Sequence, residues 1–326
     1  MCNRHRARLH WPAMKPAAFE YHAPESVSDA VGLLAQYGDD AKPLAGGQSL
    51  VPMLSMRLTR FEHIVDLNQV QEMFGVSSTS SGNGANSANG INGAARIKAD
   101  EVRIGAMTRQ ASVETNPTVA QKVPLLHLAS PYIGHFQIRN RGTIGGSVAH
   151  ADPASEYPAV MLALGGIAEV ASPLGTRDIP AADFFQSTFT TALAGDDLLV
   201  ALRFQPWAGP CSFAFAEIAR RSGDFALAGA AVALGANEAG KINRAAVGML
   251  GVGSTAVRAS SVEAALSGLA VDEVDAAEVG RLAAQDMDPV GDVHASAEYR
   301  RSAGSTLVGR VLADALVQLT EELKDG

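Results

Sequence analysis

Two paired glycines stand about one hundred residues apart in this chain, and they constrain its folding more than any other feature. The first pair lies in Leu44-Ala45-Gly46-Gly47-Gln48-Ser49-Leu50. The second lies in Arg139-Asn140-Arg141-Gly142-Thr143-Ile144-Gly145-Gly146-Ser147. The first pair sits between an expected strand over 41–45 and an expected short helix through Met53 and Leu58. Glycine lets the backbone pass close to a ligand and turn successive N–H groups toward one point. Backed by a helix N-terminus, such a nest binds phosphate. Taken alone, the first turn is better read as a plain strand-to-helix connection. The two share paired glycines and flanking hydroxyls, with no acidic side chain inside the turn, so together they suit a pyrophosphate clamped from both sides.

The surrounding pattern is mixed helix and strand. Ser26 followed by Asp29 is a capping-box pattern, and Val27, Ala30, Val31, Leu34 and Tyr37 follow at helical spacing up to Gly38. A strand over 61–67 then gives a βα-type unit of parallel character. Residues 77–95 are almost wholly Ser, Asn, Gly and Ala and cannot build a core, so they read as an over-long hairpin loop between strands near Val76 and over 97–105. Helical segments are expected at 112–114, 124–129 and 181–185, and strands at 168–171 and 198–204. Gln205-Pro206-Trp207-Ala208-Gly209-Pro210 reads as a linker. Beyond it, strands are expected at 212–219, 227–234 and 245–250, then helices at 261–269, 276–284 and 299–323. The division follows: a disordered extension over 1–13, a first region over 14–206 with subdomains near 14–70 and 96–206, and an α+β region over 211–326.

Charge and cysteine usage remove several classes of function. With 26 basic and 34 acidic residues the formal net charge is −8, and a chain without a basic stripe is a poor nucleic-acid binder. No apolar run is long enough to span a bilayer. The basic start MCNRHRARLHWPA lacks the apolar stretch of a secretory signal. Two cysteines, Cys2 and Cys211, allow no disulfide framework, which points to a reducing cytoplasm. An ordinary iron–sulfur cluster takes four thiolates, so this chain cannot carry one alone.

Other motifs are weaker. Gly251-Val252-Gly253-Ser254-Thr255-Ala256 matches the dinucleotide fingerprint, with Asp272 and Glu273 about twenty residues on. It needs a βαβ unit, and the acidic stretch 271–284 reads instead as helix. Gly235 to Ile242 resembles a P-loop but has Ile242 where magnesium needs a hydroxyl. No hydrolytic motif occurs, and the eight histidines show no ligand spacing, so neither a hydrolytic centre nor a metal site is expected. Glu156, in His150-Ala151-Asp152-Pro153-Ala154-Ser155-Glu156-Tyr157-Pro158, reads as an acceptor for a ribose or ribityl hydroxyl or as a structural carboxylate.

AGGQS at 45–49, TIGGS at 143–147, RNRG just before the second turn and HADPASEYP after it jointly resemble the FAD-binding medium subunit of the molybdenum hydroxylases. The segment Ala219-Arg220-Arg221-Ser222-Gly223-Asp224-Phe225 is similar to that family's C-terminal domain, and the resemblance runs from about Met14 to the end. It implies an α+β fold of the vanillyl-alcohol-oxidase (PCMH) flavoprotein type, two α+β subdomains holding FAD, and a C-terminal α+β domain with a small antiparallel sheet and helices. Carried over by position, 44–50 and 143–147 would wrap the FAD phosphates. Ile133, Glu156 and Leu198 would contact the flavin, and Phe225 would lie against its ring system. Ala216 stands where the xanthine dehydrogenase segment has a lysine contact.

The resemblance also implies partners: a large subunit with a molybdenum cofactor and a small subunit with two [2Fe–2S] clusters, in a dimer of heterotrimers. The FAD here would pass electrons from those clusters to an external acceptor, with no catalytic acid or base on this chain. Two alternatives remain at this stage. A stand-alone flavin oxidase of the same fold needs a base over the flavin, for which only His150 is a candidate. An NAD-dependent dehydrogenase would use the Gly251–Gly253 turn.

Overall fold

The computed structural model describes residues 15–79 and 100–325. The extension over 1–13 and the loop expected over 77–95, from residue 80 on, lie outside the described residues, as do residues 97–99 of the strand expected over 97–105.

Among the described residues, three sheets of three or more strands organise the fold. β1 (Glu20–His22), β2 (Ala41–Leu44) and β3 (His63–Asp66) form a parallel sheet in the order β1-β3-β2. The helix Val27–Tyr37 crosses from β1 to β2. Ser26 Oγ accepts from the Asp29 N–H at 3.0 Å, which satisfies one of the donors a helix start leaves open. Ala30, Val31 and Leu34 are its buried stripe, and Gly38 ends it at φ +53°. Β-strand parallelism here matches the βα reading of the sequence.

The second sheet has the order β4-β5-β10-β6-β7, from β4 (Val76–Ser78), β5 (Val102–Gly105), β6 (Ile167–Ser172), β7 (Gly175–Pro180) and β10 (Leu198–Phe204). A two-stranded ribbon, β8 (Phe185–Ser187) and β9 (Thr190–Thr191), precedes β10. Every residue of the central strand β10 is buried, Arg203 among them. Arg203 is 2% exposed and meets Glu101 at 3.2 Å, Glu169 at 3.8 Å and, more closely, Asp178. Arg103 adds a fork to Glu169 at 2.8 and 3.0 Å. Buried charge is tolerated only when paired in this way.

The third sheet is an antiparallel meander of β11 (Cys211–Ile218), β12 (Ala228–Ala236), β13 (Ile242–Leu250) and β14 (Val257–Arg258). β12 reads AGAAVALGA and is buried throughout. Its residues divide between two cores. Ala231 and Ala233 join the larger one, while Ala230, Val232 and Leu234 join the other. Alternation along a strand explains this, and both faces are covered, by the helices Glu156–Leu164 and Ala297–Asp325. Small residues let the first helix sit close: a Cβ on Gly248 would fall 2.3 Å from the Ala159 carbonyl oxygen.

One expectation needs correction, and one alternative falls. The stretch 271–284 is not one helix but a 3-10 turn (Val271–Glu273), a helix (Ala276–Arg281) and a second 3-10 turn (Leu282–Gln285). Its first helix starts at an Asp275 cap whose side chain accepts from the Glu278 N–H. The Gly251–Gly253 turn builds no βαβ unit, because β13 before it and β14 after it are antiparallel neighbours. Gly251 has φ +75°, its N–H goes to the Pro153 carbonyl at 2.8 Å, and its own carbonyl accepts from the buried Arg300 at 3.1 Å. With no βαβ unit and the Gly251 amide engaged in packing, the NAD reading falls.

Replacing Arg203 with Met should destabilise the chain by about 3 kcal/mol, because buried carboxylates lose their cation. Urea unfolding of variant and parent checks this, and equal midpoints would show that the network contributes little.

Candidate functional site

β2 delivers the first glycine turn to the C-terminal end of the parallel sheet, with Leu44 level with Asp66 of β3. Gly47 adopts φ +73°, a conformation that L side chains resist. The helix Leu50–Ser55 starts directly after the turn. Among the described residues the N–H groups of Gly46, Gly47, Gln48, Ser49 and Leu50 have no acceptor. The Gln48 side chain folds back to the Gly46 carbonyl at 3.1 Å. A run of consecutive unpaired donors at a helix start is an anion-binding concavity.

The second turn differs from the expected second nest. The Ile144 N–H goes to the Thr108 carbonyl at 3.0 Å, that of Gly145 to Ala106 at 2.9 Å, and that of Ser147 to Thr143 at 3.1 Å. The Gly146 N–H goes to Thr143 Oγ1 at 3.1 Å, which caps the helix Ile144–His150. Its donors are therefore engaged within the protein, and its glycines serve close approach. A Cβ on Gly145 would fall 2.4 Å from Ala106 Cβ, and one on Gly146 would reach Ala45 Cβ at 3.4 Å. From the other side, a Cβ on Gly46 would fall 2.4 Å from the Arg141 carbonyl oxygen. The two turns lie against each other: one presents donors and the other forms its wall.

Arg109 ties them together. Its guanidinium donates to the Arg141 carbonyl at 2.5 Å and to Asn68 Oδ1 at 2.5 Å. Asn68 in turn donates to the Ala45 carbonyl at 3.1 Å and is itself held by Asp66. Burial and the neighbouring Arg141 lower the Arg109 pKa from its ordinary value. Nothing in the sequence around Arg109 or Asn68 distinguishes them, since their role depends on contacts at 32 and 41 residues' separation.

Glu156 opens the helix Glu156–Leu164 and is 7% exposed. Burial pushes its carboxyl up to about 7, its own backbone N–H opposes this, and Asp152 adds to it. On β11, Glu217 is pushed up to about 8 by burial and by the charge of Glu156. Its Oε2 is buried without a hydrogen-bond partner. Sequence reasoning passed over Glu217, which sits in a strand pattern with no local motif. His150 lies 4.9 Å from the Phe189 ring, and burial holds its imidazole below the ordinary histidine value.

The structure brings 44–50 and 143–147 together, with the helix of Glu156 packed against that of Ile144. Ile133 and Leu198 are buried in the larger core. Leu198 begins β10, which packs on the helix Ile144–His150. Phe225 is 70% exposed, just after Gly223 at φ +84°, and no hydrogen bond or ring contact joins it to the turns among the described residues. Beside it, a Cβ on Gly223 would strike the His135 ring at 2.4 Å.

Residues 17–207 match the family described as FAD binding domain in molybdopterin dehydrogenase. The chain belongs to the FAD-binding subunits of the molybdenum hydroxylases. Residues 213–315 match the CO dehydrogenase flavoprotein C-terminal domain. The chain is 40% identical over 304 residues to the 6-hydroxypseudooxynicotine dehydrogenase complex subunit alpha of Paenarthrobacter nicotinovorans, covering 93% of this chain and 96% of that one. It is 33% identical to the carbon monoxide dehydrogenase medium chain of Hydrogenophaga pseudoflava, covering 92% and 97%. Among solved structures, the carbon monoxide dehydrogenase of Hydrogenophaga pseudoflava that lacks the Mo-pyranopterin moiety superposes with a TM-score of 0.83 at 35% identity, covering 93% of this chain and 99% of that one. Quinoline 2-oxidoreductase of Pseudomonas putida 86 gives 0.82 at 34% identity, covering 94% and 99%. The chain is thus an oxidoreductase component with an FAD-binding domain of α+β type. Among the described residues no helix is long and apolar enough to cross a membrane.

Because the Glu156 and Glu217 pKa values are raised on folding, the folded chain holds more protons than the unfolded one between the ordinary carboxyl range and about 8. Their contribution to stability is full below that range and is lost as pH rises through it. The FAD-free chain should therefore lose stability from about pH 5 to pH 9, and Glu217→Gln should flatten that slope. Urea unfolding across this range is the check; an unchanged slope in the variant would place the effect elsewhere.

Proposed function

We propose that this chain is the FAD-carrying electron-transfer subunit of a molybdenum hydroxylase complex. Its partners are a large molybdenum-cofactor subunit and a small subunit with two [2Fe–2S] clusters, assembled as a dimer of heterotrimers. Electrons pass from those clusters through the flavin to an external acceptor. The observation that carries the reading is the run of five unpaired amides, 46–50, backed by a second glycine turn in contact with it.

Bound FAD supplies the redox chemistry, and the protein supplies binding, orientation and electrostatics. In this reading the amides of 46–50 hold the pyrophosphate, and Thr143, Ile144, Gly145, Gly146 and Ser147 form the wall it lies against. Leu44, Ala45 and Leu50 frame the turn. Glu156 accepts from a ribose or ribityl hydroxyl in the buried interior. Ile133 and Leu198 back the ring system, and Phe225 covers it from the C-terminal region. Residues 14–206 act as the FAD-binding unit and 211–326 as the unit that closes over it.

The names of the relatives speak of carbon monoxide, nicotine, caffeine and glyceraldehyde. One subunit type serving such different compounds supports substrate choice by the molybdenum partner. The stand-alone oxidase reading has little to stand on, since the relatives named as medium chains or subunits belong to complexes.

Acid denaturation of the purified chain should release near-stoichiometric free FAD, identified by chromatography with fluorescence detection. Gly46→Val should lower FAD affinity by more than about tenfold, because its side chain must enter the space of the Arg141 carbonyl. Circular dichroism of the FAD-free variant separates lost binding from lost folding. Flavin retained on the precipitated protein would favour the oxidase. A folded Gly46→Val chain with parental affinity would move the phosphate site away from this turn.

A further inference from the structure

The parallel sheet has a second end. Where β2 delivers its turn at the C-terminal edge, the N-terminal edge holds Glu20 of β1 and His63 of β3, and His22, two residues further along β1 and level with Val65, reaches back to them. Glu20 lies level with His63 in the ladder, and His63 with Ala41 at the start of β2. At about 3.3 Å per residue, a four-residue strand places this edge roughly 10 Å from the glycine turn. His22 and His63 are 41 residues apart, so no local spacing announces them.

Their donor atoms converge. His22 Nε2 lies 3.1 Å from His63 Nδ1, and a Glu20 carboxylate oxygen lies 3.5 Å from the same His63 Nδ1. One ligand atom from each of the three residues falls within 4.8 Å of the others. Two nitrogens held at ~2.1 Å by a tetrahedral ion stand roughly 3.4 Å apart, so ligation asks for only a few tenths of an ångström of rearrangement. The rings are also held in place. Tyr37, the last residue of the helix Val27–Tyr37, stacks on His63 at 3.7 Å and on His22 at 5.2 Å between centroids. Both imidazoles are half-buried while the Glu20 side chain is exposed. The ligands are therefore ordered on one side and open to entry on the other.

We propose that Glu20, His22 and His63 form a binding site for a divalent transition ion of the zinc class. Two imidazole nitrogens and one carboxylate oxygen suit such an ion better than magnesium or calcium, which take oxygen ligands. His22 ligates through Nε2 and His63 through Nδ1, with each neutral ring carrying its proton on its other nitrogen. Water completes the coordination on the exposed side. The ion bridges β1 and β3 through residues outside the glycine turn, so its effect is on the folded state rather than on FAD binding.

The test uses the full chain with FAD bound, stripped by chelator and dialysed. Titration with zinc chloride by calorimetry should show a site filled to about one ion per chain, with a rise in the unfolding temperature. Cobalt(II) should give d–d absorption bands at longer wavelength than the flavin. His63→Gln and Glu20→Gln should each weaken zinc binding by more than about tenfold while leaving FAD content at the parental value. Glu20→Gln alters an exposed side chain and so serves if His63→Gln unfolds. No zinc uptake by the parent chain, or equal uptake by parent and folded variants, would overturn the proposal, the latter assigning the metal to other residues.

Discussion

Arg109 holds the functional end of this fold in one piece. Its two nitrogens reach the Arg141 carbonyl on the second turn and Asn68, which holds the Ala45 carbonyl on the first. The Arg141 carbonyl is thereby drawn onto the guanidinium, and the Ala45 carbonyl onto the Asn68 amide that the guanidinium holds. A backbone whose carbonyls are drawn to one side presents its N–H groups on the other, and the unpaired amides of 46–50 follow from that. The arrangement also explains why Gly46 and Gly145 are glycines: at each, backbone or Cβ atoms of a neighbouring segment already fill the place of a side chain. Packing and anion recognition are here the same geometric fact.

The two glycine turns were legible because their chemistry is local. Paired glycines, a hydroxyl and a following helix are all contained in a few residues, and the Ser26 cap and the buried stripe of the helix Val27–Tyr37 are equally local. The division of labour between the turns was not legible. Whether the amides of Ile144 and Gly145 are free depends on carbonyls of Thr108 and Ala106, which the strand β5 brings back from far along the chain. The same reason hides Asn68, Arg109, Glu217, His22 and His63. Strand β12 was legible as a strand from its apolar run, but its coverage on both faces rests on two helices distant in sequence. The helix expected over 271–284 failed on caps: Asp275 starts a new helix where propensity alone would continue the old one.

The fold treats buried carboxylates in two ways, and the contrast is informative. In the second sheet the buried Glu101 and Glu169, with the exposed Asp178, surround Arg203, and Arg103 adds to Glu169, so negative charge is matched by positive charge. Between the helix Glu156–Leu164 and β11, Glu156 and Glu217 face each other's field with no cation among the influences on either. Burying acids this way raises their pKa and costs stability at neutral pH. A structural role would be served as well by Gln or by an apolar residue of similar size. Perturbed carboxyls without a counter-charge gather at binding sites, where a ligand completes their hydrogen bonds. Near neutral pH a group shifted to about 7 or 8 can both donate and accept. Ligand hydroxyls require both, so in the proposed FAD-binding reading a hydroxyl of the ligand completes the hydrogen bonds that this pair leaves open.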